Sequence, residues 1–325
     1  MNNKKINLIA KGVIQDEIYA LKKLKSSIGN SFKKIIKIIL NCNSGKIIIS
    51  GVGKSGIISK KWSATLSSIG IPSFFLDASN ASHGDMGQIS SNDVVVLISL
   101  SGQSEELKNI IKFTSRNKNI KLIGITSKKE SILYKNSDIK FLMPTVKEAG
   151  PGNIVPTSST TIQLALGDAI AIACMKYKNL GKLDFKKFHP GGSLSVKLKT
   201  VSDLMTTGKK IPFVEENTEM KNALKVITKK GLGVILVKKK NTTTGILTDG
   251  DLKRISRKFG NFGQLKIKKV MKKNPLSIEA NTLAAKALSI MNTKKITSLC
   301  VHKGNQKKKT IGIIHIHNIL KANIS

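Results

Sequence analysis

The 325-residue sequence predicts a doubly wound parallel α/β sheet followed by a tandem pair of small α+β units. Three observations carry that prediction. Short apolar runs such as Ile47-Ile48-Ile49 and Val94-Val95-Val96-Leu97-Ile98 are continuous rather than alternating, the pattern of strands covered on both faces. Segments with helix-like apolar spacing separate those runs, so strands alternate with helices. After about residue 200, two stretches recur. Val201-Ser202-Asp203-Leu204-Met205 is echoed 66 residues on by Ile267-Lys268-Lys269-Val270-Met271, and Gly245-Ile246-Leu247 is echoed 67 residues on by Gly312-Ile313-Ile314. A near-constant offset marks a duplicated unit.

Each element has its own warrant. Residues 3–42 carry apolar positions at Ile14, Ile18, Leu21, Leu24 and Ile28, then at Phe32, Ile35, Ile36 and Ile39, which predicts two lead-in helices. A strand over 45–50 feeds Gly51-Val52-Gly53-Lys54-Ser55-Gly56, and Ile58, Trp62, Thr65, Leu66 and Ile69 then space a helix over 57–69. A second strand is expected at 72–76, with a polar loop or short helix through Asn80-Ala81-Ser82-His83-Gly84-Asp85. The run 93–100 reads as a buried strand opening into Ser99-Leu100-Ser101-Gly102-Gln103-Ser104-Glu105-Glu106 and a helix to Ser115. Further strands fall at 121–126 and 139–143. A proline- and glycine-punctuated loop covers 144–160, where Thr157 to Thr160 offer hydroxyl caps to a helix over 161–176. Residues 185–192 read as a turn holding His189. Doubly wound sheets bind ligands at the carboxyl ends of their strands, and three of these strand ends carry polar Gly/Ser loops. The expected domains are 1–200, 201–262 and 263–325.

Composition narrows the function. The net charge is +37, yet the lysines are spread along the whole chain, and Arg116, Arg254 and Arg257 are the only arginines. A nucleic-acid reader would cluster its basic residues, with aromatic or arginine readers among them, so the charge reads as solvated surface. Cys42, Cys174 and Cys300 lie far apart, which argues against a disulfide framework or a zinc site. No apolar h-region precedes Lys11, and no apolar stretch approaches the ~20 residues of a membrane span. The expectation is a soluble cytoplasmic protein that engages neither nucleic acid nor membrane.

The Gly51–Gly56 loop contains both a G-x-G-x-x-G match and a Gly-Lys-Ser triplet. A triphosphate loop needs a glycine where Ile48 stands inside the strand. A dinucleotide reading finds its acid at Asp77 but leaves the second loop, Ser99 to Ser104, unexplained. Ser99, Ser101 and Ser104 with nearby backbone N–H groups suit one phosphate monoester. Three or four charge-assisted bonds of about 1.5–3 kcal/mol each would hold a sugar phosphate near micromolar, about 8 kcal/mol. Ordinary N-capping by Ser104 accounts for part of that loop. His83, His189 and Glu148 sit in loops and gain meaning only by converging on the phosphate.

Six ordered motifs then carry a resemblance that spans nearly the whole chain. They are Gly51–Gly56, Ala81-Ser82-His83-Gly84-Asp85, Ser99–Glu106, Lys147-Glu148-Ala149, Pro156-Thr157-Ser158-Ser159-Thr160-Thr161 and His189-Pro190-Gly191-Gly192. Together they resemble the D-arabinose 5-phosphate isomerase family, a sugar isomerase (SIS) domain followed by two CBS domains. The resemblance implies interconversion of D-ribulose 5-phosphate and D-arabinose 5-phosphate for synthesis of the lipopolysaccharide sugar Kdo. It also implies a homotetramer with shared active sites. Lys54, His83, Glu106, Glu148 and His189 match the family's functional positions.

An aldose–ketose isomerase needs one base for carbon and one acid–base group for the oxygens, with no cofactor and no metal. Glu148 is the expected carbon base, its pKa raised by partial burial toward 6–7. His189 would carry protons between oxygens, and Lys54 would stabilise the enediolate. His83 and Glu106 would position hydroxyls or complete the proton relay. Gly53, Ser55, Ser99, Ser101, Ser104, Thr157 and Ser158 are expected to hold the substrate and its phosphate. Thr248, Asp249 and Asp251 are expected to hold an adenosine nucleotide in the CBS pair, although Asn318 stands where the second copy would repeat Asp251. Gln103 likewise replaces a frequent family Glu. The rival reading is a noncatalytic sugar-phosphate-binding regulator, which could dispense with Glu148 and His189.

Overall fold

Isoleucine- and valine-rich strands form a five-stranded sheet in the first of two compact units, Met1–Phe188 and His189–Ser325, of this computed structural model. The structure describes residues 3–189 and 191–324. In chain order the first unit comprises α1 (Asn3–Ser27), α2 (Asn30–Asn41), β1 (Ile47–Gly51), α3 (Lys54–Ser68), β2 (Ser73–Asp77), α4 (Ala78–Ala81), β3 (Val94–Ile98), α5 (Glu105–Arg116), β4 (Lys121–Thr126), α6 (Ile132–Asn136), β5 (Ile139–Leu142), α7 (Ser158–Tyr177) and α8 (Lys182–Phe188).

All strands pair parallel in the order β2-β1-β3-β4-β5. Both faces are covered. Ile47 and Ile49 join Val94, Val96 and Ile98 beneath α1, α2, α3 and α7. Ile48 joins Val95 and Leu97 beneath α4, α5 and α6. Strand burial is complete along β1 and β3, which is why these runs show no alternation.

Several elements differ from the sequence expectation. The first sheet-flanking helix starts at Lys54 rather than 57, because Gly53 turns the chain into it at φ 58°. Helix α6 is an addition to the expected elements; the Ser131 hydroxyl starts it by accepting the Tyr134 N–H at 3.2 Å. The turn expected over 185–192 is instead the end of α8 and the start of a second short helix, Gly192–Lys197. The Asp184 carboxylate accepts the Gly181 N–H at 3.1 Å at the head of α8, and Pro190 lies outside the described residues. Helix α7 qualifies by length and composition as a membrane span, with a mean hydropathy of 1.2 over its apolar window, against the expectation of no such stretch. Its apolarity is that of a core helix, with Ile162, Leu166, Ile170 and Cys174 buried against the sheet.

The second unit continues with α9 (Gly192–Lys197), α10 (Val201–Leu204), β6 (Thr206–Thr207), β7 (Phe213–Glu215), α11 (Met220–Lys230), β8 (Val234–Lys239), β9 (Thr242–Thr248), α12 (Asp249–Lys258), β10 (Lys272–Lys273), β11 (Ser277–Glu279), α13 (Ala284–Lys294), β12 (Ser298–His302), β13 (Gly312–His315) and α14 (Ile316–Lys321). Two four-stranded sheets result, β10-β9-β8-β7 and β11-β12-β13-β6. Each half therefore lends its leading strand to the other: β6 pairs with β13 and β10 with β9. Leu236, Cys300 and Ile313 are buried together in one cluster that joins the halves.

Candidate active site

The strand order puts two polar loops side by side. The chain passes from β1 outward to β2, then returns across the sheet to β3, so the direction of winding reverses between β1 and β3. Such a switch point opens a crevice at the carboxyl edge of the sheet. Gly51 at the end of β1 pairs with Ile98 at the end of β3, and from those two residues the Gly53–Ser55 and Ser99–Ser104 segments leave the sheet. Gly51 must be glycine, since a Cβ there would lie 2.9 Å from the Ile98 carbonyl oxygen and 3.0 Å from that of Ser55.

Helix α3 begins with Lys54, has no acidic residue in its first turn and receives no side-chain cap. Its first N–H groups lack intrahelical partners, and a cation stands at the positive end of its dipole. Both features favour an anion at this terminus. Gly53 and Lys54 are exposed and Ser55 is half-buried. Lys54 forms no ion pair among the described residues.

The second loop is built largely by its own hydroxyls. Ser99, nearly buried, accepts the Gly102 N–H at 3.0 Å, and Ser101 accepts the Gln103 N–H at 3.3 Å. Ser104 does not cap α5 with its side chain as expected; its hydroxyl lies 3.2 Å from that of Ser99. Glu105 and Glu106 occupy the first turn of α5. His83 is exposed in the turn after α4, whose start is capped by the Asp77 carboxylate. That turn is fixed to α5 by Asn109 Nδ2 donating to Ser82 Oγ at 2.8 Å. Lys54, His83, the serine loop and Glu106 therefore all follow carboxyl ends of neighbouring strands.

Glu148 lies in the loop that leaves β5, and the structure gives it a tighter setting than the sequence suggested. Its Oε2 accepts the N–H of Thr157 at 2.8 Å, the N–H of Ser159 at 3.1 Å and the Thr157 hydroxyl at 3.3 Å. Thus Glu148, rather than a hydroxyl of residues 157–160, satisfies the N-terminus of α7, and the helix begins at Ser158 rather than 161. The expected upward pKa shift is reversed. Burial pushes the carboxyl up, but the Ser159 hydroxyl, the N–H groups of Thr157 and Ser159 and the Thr157 hydroxyl outweigh it and hold it below its ordinary 4.5. Helix α7 runs against α3, with Trp62 Nε1 donating to the Gln163 carbonyl at 3.0 Å. Ser158 is fully buried and its hydroxyl makes no hydrogen bond. His189 falls in the second unit, so the first unit does not bring it to these loops. Sequence alone does not single out Ser159, because the motif holds five hydroxyl residues, Thr157 to Thr161, and only the helix start separates them.

In the second unit a cavity of about 730 Å³ is lined by Thr248, Asp249 and Asp251, by Lys272 and Lys295, and by His315. Asp251 and Thr248 form a capping box at α12, with the Thr248 hydroxyl donating to the carboxylate at 2.7 Å. Lys272 of β10 reaches the same carboxylate at 2.9 Å, and Arg254 also pairs with it. The second copy repeats the box with His315 and Asn318.

A doubly wound sheet with a helix start and a serine loop side by side at its carboxyl edge defines an α/β domain of the phosphate-binding type, here followed by a duplicated module. The SIS domain family matches residues 39–173, and the CBS domain family matches 201–258 and 267–325. Arabinose 5-phosphate isomerase KdsD of Francisella tularensis is 42% identical over 311 residues, covering 95% of this chain and 94% of that protein. KdsD of Salmonella typhimurium is 38% identical over 316 residues, covering 97% and 95%. An Escherichia coli CFT073 protein solved in complex with arabinose 5-phosphate aligns with a TM-score of 0.56 and 35% identity, covering 58% of this chain and 100% of that one. The chain belongs to the arabinose 5-phosphate isomerase family.

Proposed function

We propose that the protein interconverts D-ribulose 5-phosphate and D-arabinose 5-phosphate and so supplies Kdo for lipopolysaccharide synthesis. The observation that carries the reading is the pairing of Gly51 with Ile98, which sets the Lys54 helix start beside the Ser99–Ser104 loop. In the ketose-to-aldose direction Glu148, ionised at neutral pH, takes a proton from C1. A 1,2-enediolate forms, and Lys54 offsets its developing negative charge. The Glu148 carboxyl exchanges its proton with solvent and delivers one to C2, while His189 moves a proton from O1 to O2. His83 and Glu106 orient the sugar hydroxyls. Gly53, Ser55, Ser99, Ser101 and Ser104 hold the phosphate and chain, giving remote binding energy that aligns the reacting carbons, whereas the Thr157 hydroxyl is engaged by Glu148 and Ala149. Ser158, buried as it is, shapes the start of α7 rather than touching the sugar.

A homotetramer with shared sites fits this assignment. His189 belongs to the second unit, and in the proposed assembly a second copy supplies it to the site. In the second unit, the cavity volume falls within the usual range for small-molecule sites. An adenosine nucleotide is proposed there, held at Thr248, Asp249 and Asp251. The protein acts in the cytoplasm.

The test is to incubate the purified chain with D-ribulose 5-phosphate in deuterated water and follow the sugar by NMR. D-Arabinose 5-phosphate carrying solvent deuterium at C2 is expected. Intact sugar-phosphate binding without that product would instead identify a noncatalytic binder. Glu148→Gln should lower turnover by about 10²–10⁴-fold, and near-normal turnover in it would remove Glu148 as the base.

A further inference from the structure

Thr157 precedes α7, yet its hydroxyl does not cap the helix. It turns back instead, accepting the Ala149 N–H at 2.9 Å and lying 3.3 Å from Glu148 Oε2. The Glu148 N–H donates to Asn153 Oδ1, so the main chain on both sides of the carboxylate is tied down as well. Ser159, one residue into the helix from its start, is 2% exposed and gives its N–H to the same Oε2. Glu148 is itself 8% exposed. A buried carboxylate held by this many donors has one orientation, and those donors come from a loop and a helix start rather than from the sheet.

We infer that Ser159 and Thr157 are positioning residues for the reaction, holding the Glu148 carboxylate in the orientation from which it meets the substrate carbon. The inference rests on Glu148 being the base. The Thr157 hydroxyl, 3.3 Å from Oε2, also helps keep Glu148 below its ordinary pKa, so its removal has a signature beyond lost packing. Positioning of this kind acts on kcat more than on KM, because a misdirected base leaves the phosphate grip intact.

Thr157→Val removes the hydroxyl that lies 3.3 Å from Glu148 Oε2 and keeps the N–H. Its kcat should fall about tenfold, the effect of losing one hydrogen bond to a charged group, with KM nearly unchanged. The acid limb of its kcat/KM profile should move to higher pH, since the carboxyl loses a donor that favours its ionised form. Thr157→Ser, which restores a hydroxyl, should move the limb back. Thr157→Ala gives the same readouts and carries the test if Thr157→Val does not fold. An unshifted acid limb with unchanged kcat in a folded variant overturns the positioning role. An active Glu148→Gln overturns the base assignment instead, so the two failures are distinguishable.

Discussion

Gly102 takes φ 65°, and a Cβ there would sit 2.3 Å from Ser131 Oγ and 2.8 Å from Thr126 Oγ1. Its carbonyl accepts the Leu133 N–H at 3.2 Å, so the serine loop is pinned to the start of α6. Gly102→Ala should lower stability by about 1–3 kcal/mol from the left-handed backbone and the clash. It should also raise KM for the sugar phosphate, read from thermal unfolding and steady-state kinetics. Glu148 gives a second residue-scale expectation. Its folded pKa is lowered, so the stability it contributes is present above its ordinary 4.5 and is lost as pH falls through the folded value. Glu148→Gln should be less stable than the parent at pH 7, by about 1–3 kcal/mol, and the gap should narrow as pH falls below 4.5. Denaturant unfolding at the two pH values checks this.

At the scale of elements, α12 depends on a carboxylate shared with the other half of its module. Asp251 caps the helix through Thr248 and meets Lys272 on β10, the leading strand of the second repeat. Burial pushes its carboxyl up, but the Thr248 hydroxyl, Lys272 and Arg254 together pull it far below the usual carboxylate range. The sign is again that of a depressed acid: the stabilisation holds above its ordinary 3.8 and fades as acid protonates it. Asp251→Asn should destabilise the second unit at neutral pH by about 2–4 kcal/mol, because Lys272 and Arg254 lose their anion beside a buried site. A lowered melting transition that no longer responds to acid in this range is the expected result. Most elements of the first unit were legible from apolar spacing, and the second unit was legible as a duplication. Their starts were less so, because helix starts here are made by long-range or irregular partners. Glu148 satisfies the start of a helix across a whole loop, and Gly53 begins one by backbone conformation alone.

For the whole molecule, a charge of +37 dispersed over 325 residues predicts salt-sensitive rather than specific contact with polyanions. Retardation of duplex DNA at about 50 mM salt should largely disappear by about 200 mM, with no sequence preference, while isomerase activity changes little across that range. A sequence-specific complex that survives the higher salt would overturn this view. The two halves of the second unit also behave as one body. Because β6 and β10 are exchanged between sheets, neither repeat closes its own sheet, and boundaries drawn by sequence repeat do not separate independent sheets.

By itself the sequence determined the layered α/β sheet, the duplicated module, the two polar Gly/Ser loops and the residues that carry the family likeness. Apolar periodicity and glycine placement are local, and they survive in one dimension. Only the tertiary structure decided that the loops of β1 and β3 are neighbours, since strand order depends on which way the chain crosses the sheet. It also decided the state of Glu148. A loop acid in sequence became a buried carboxylate tied to Thr157 and Ser159, because hydrogen bonds to the charged form outweighed the burial that would otherwise have raised its pKa.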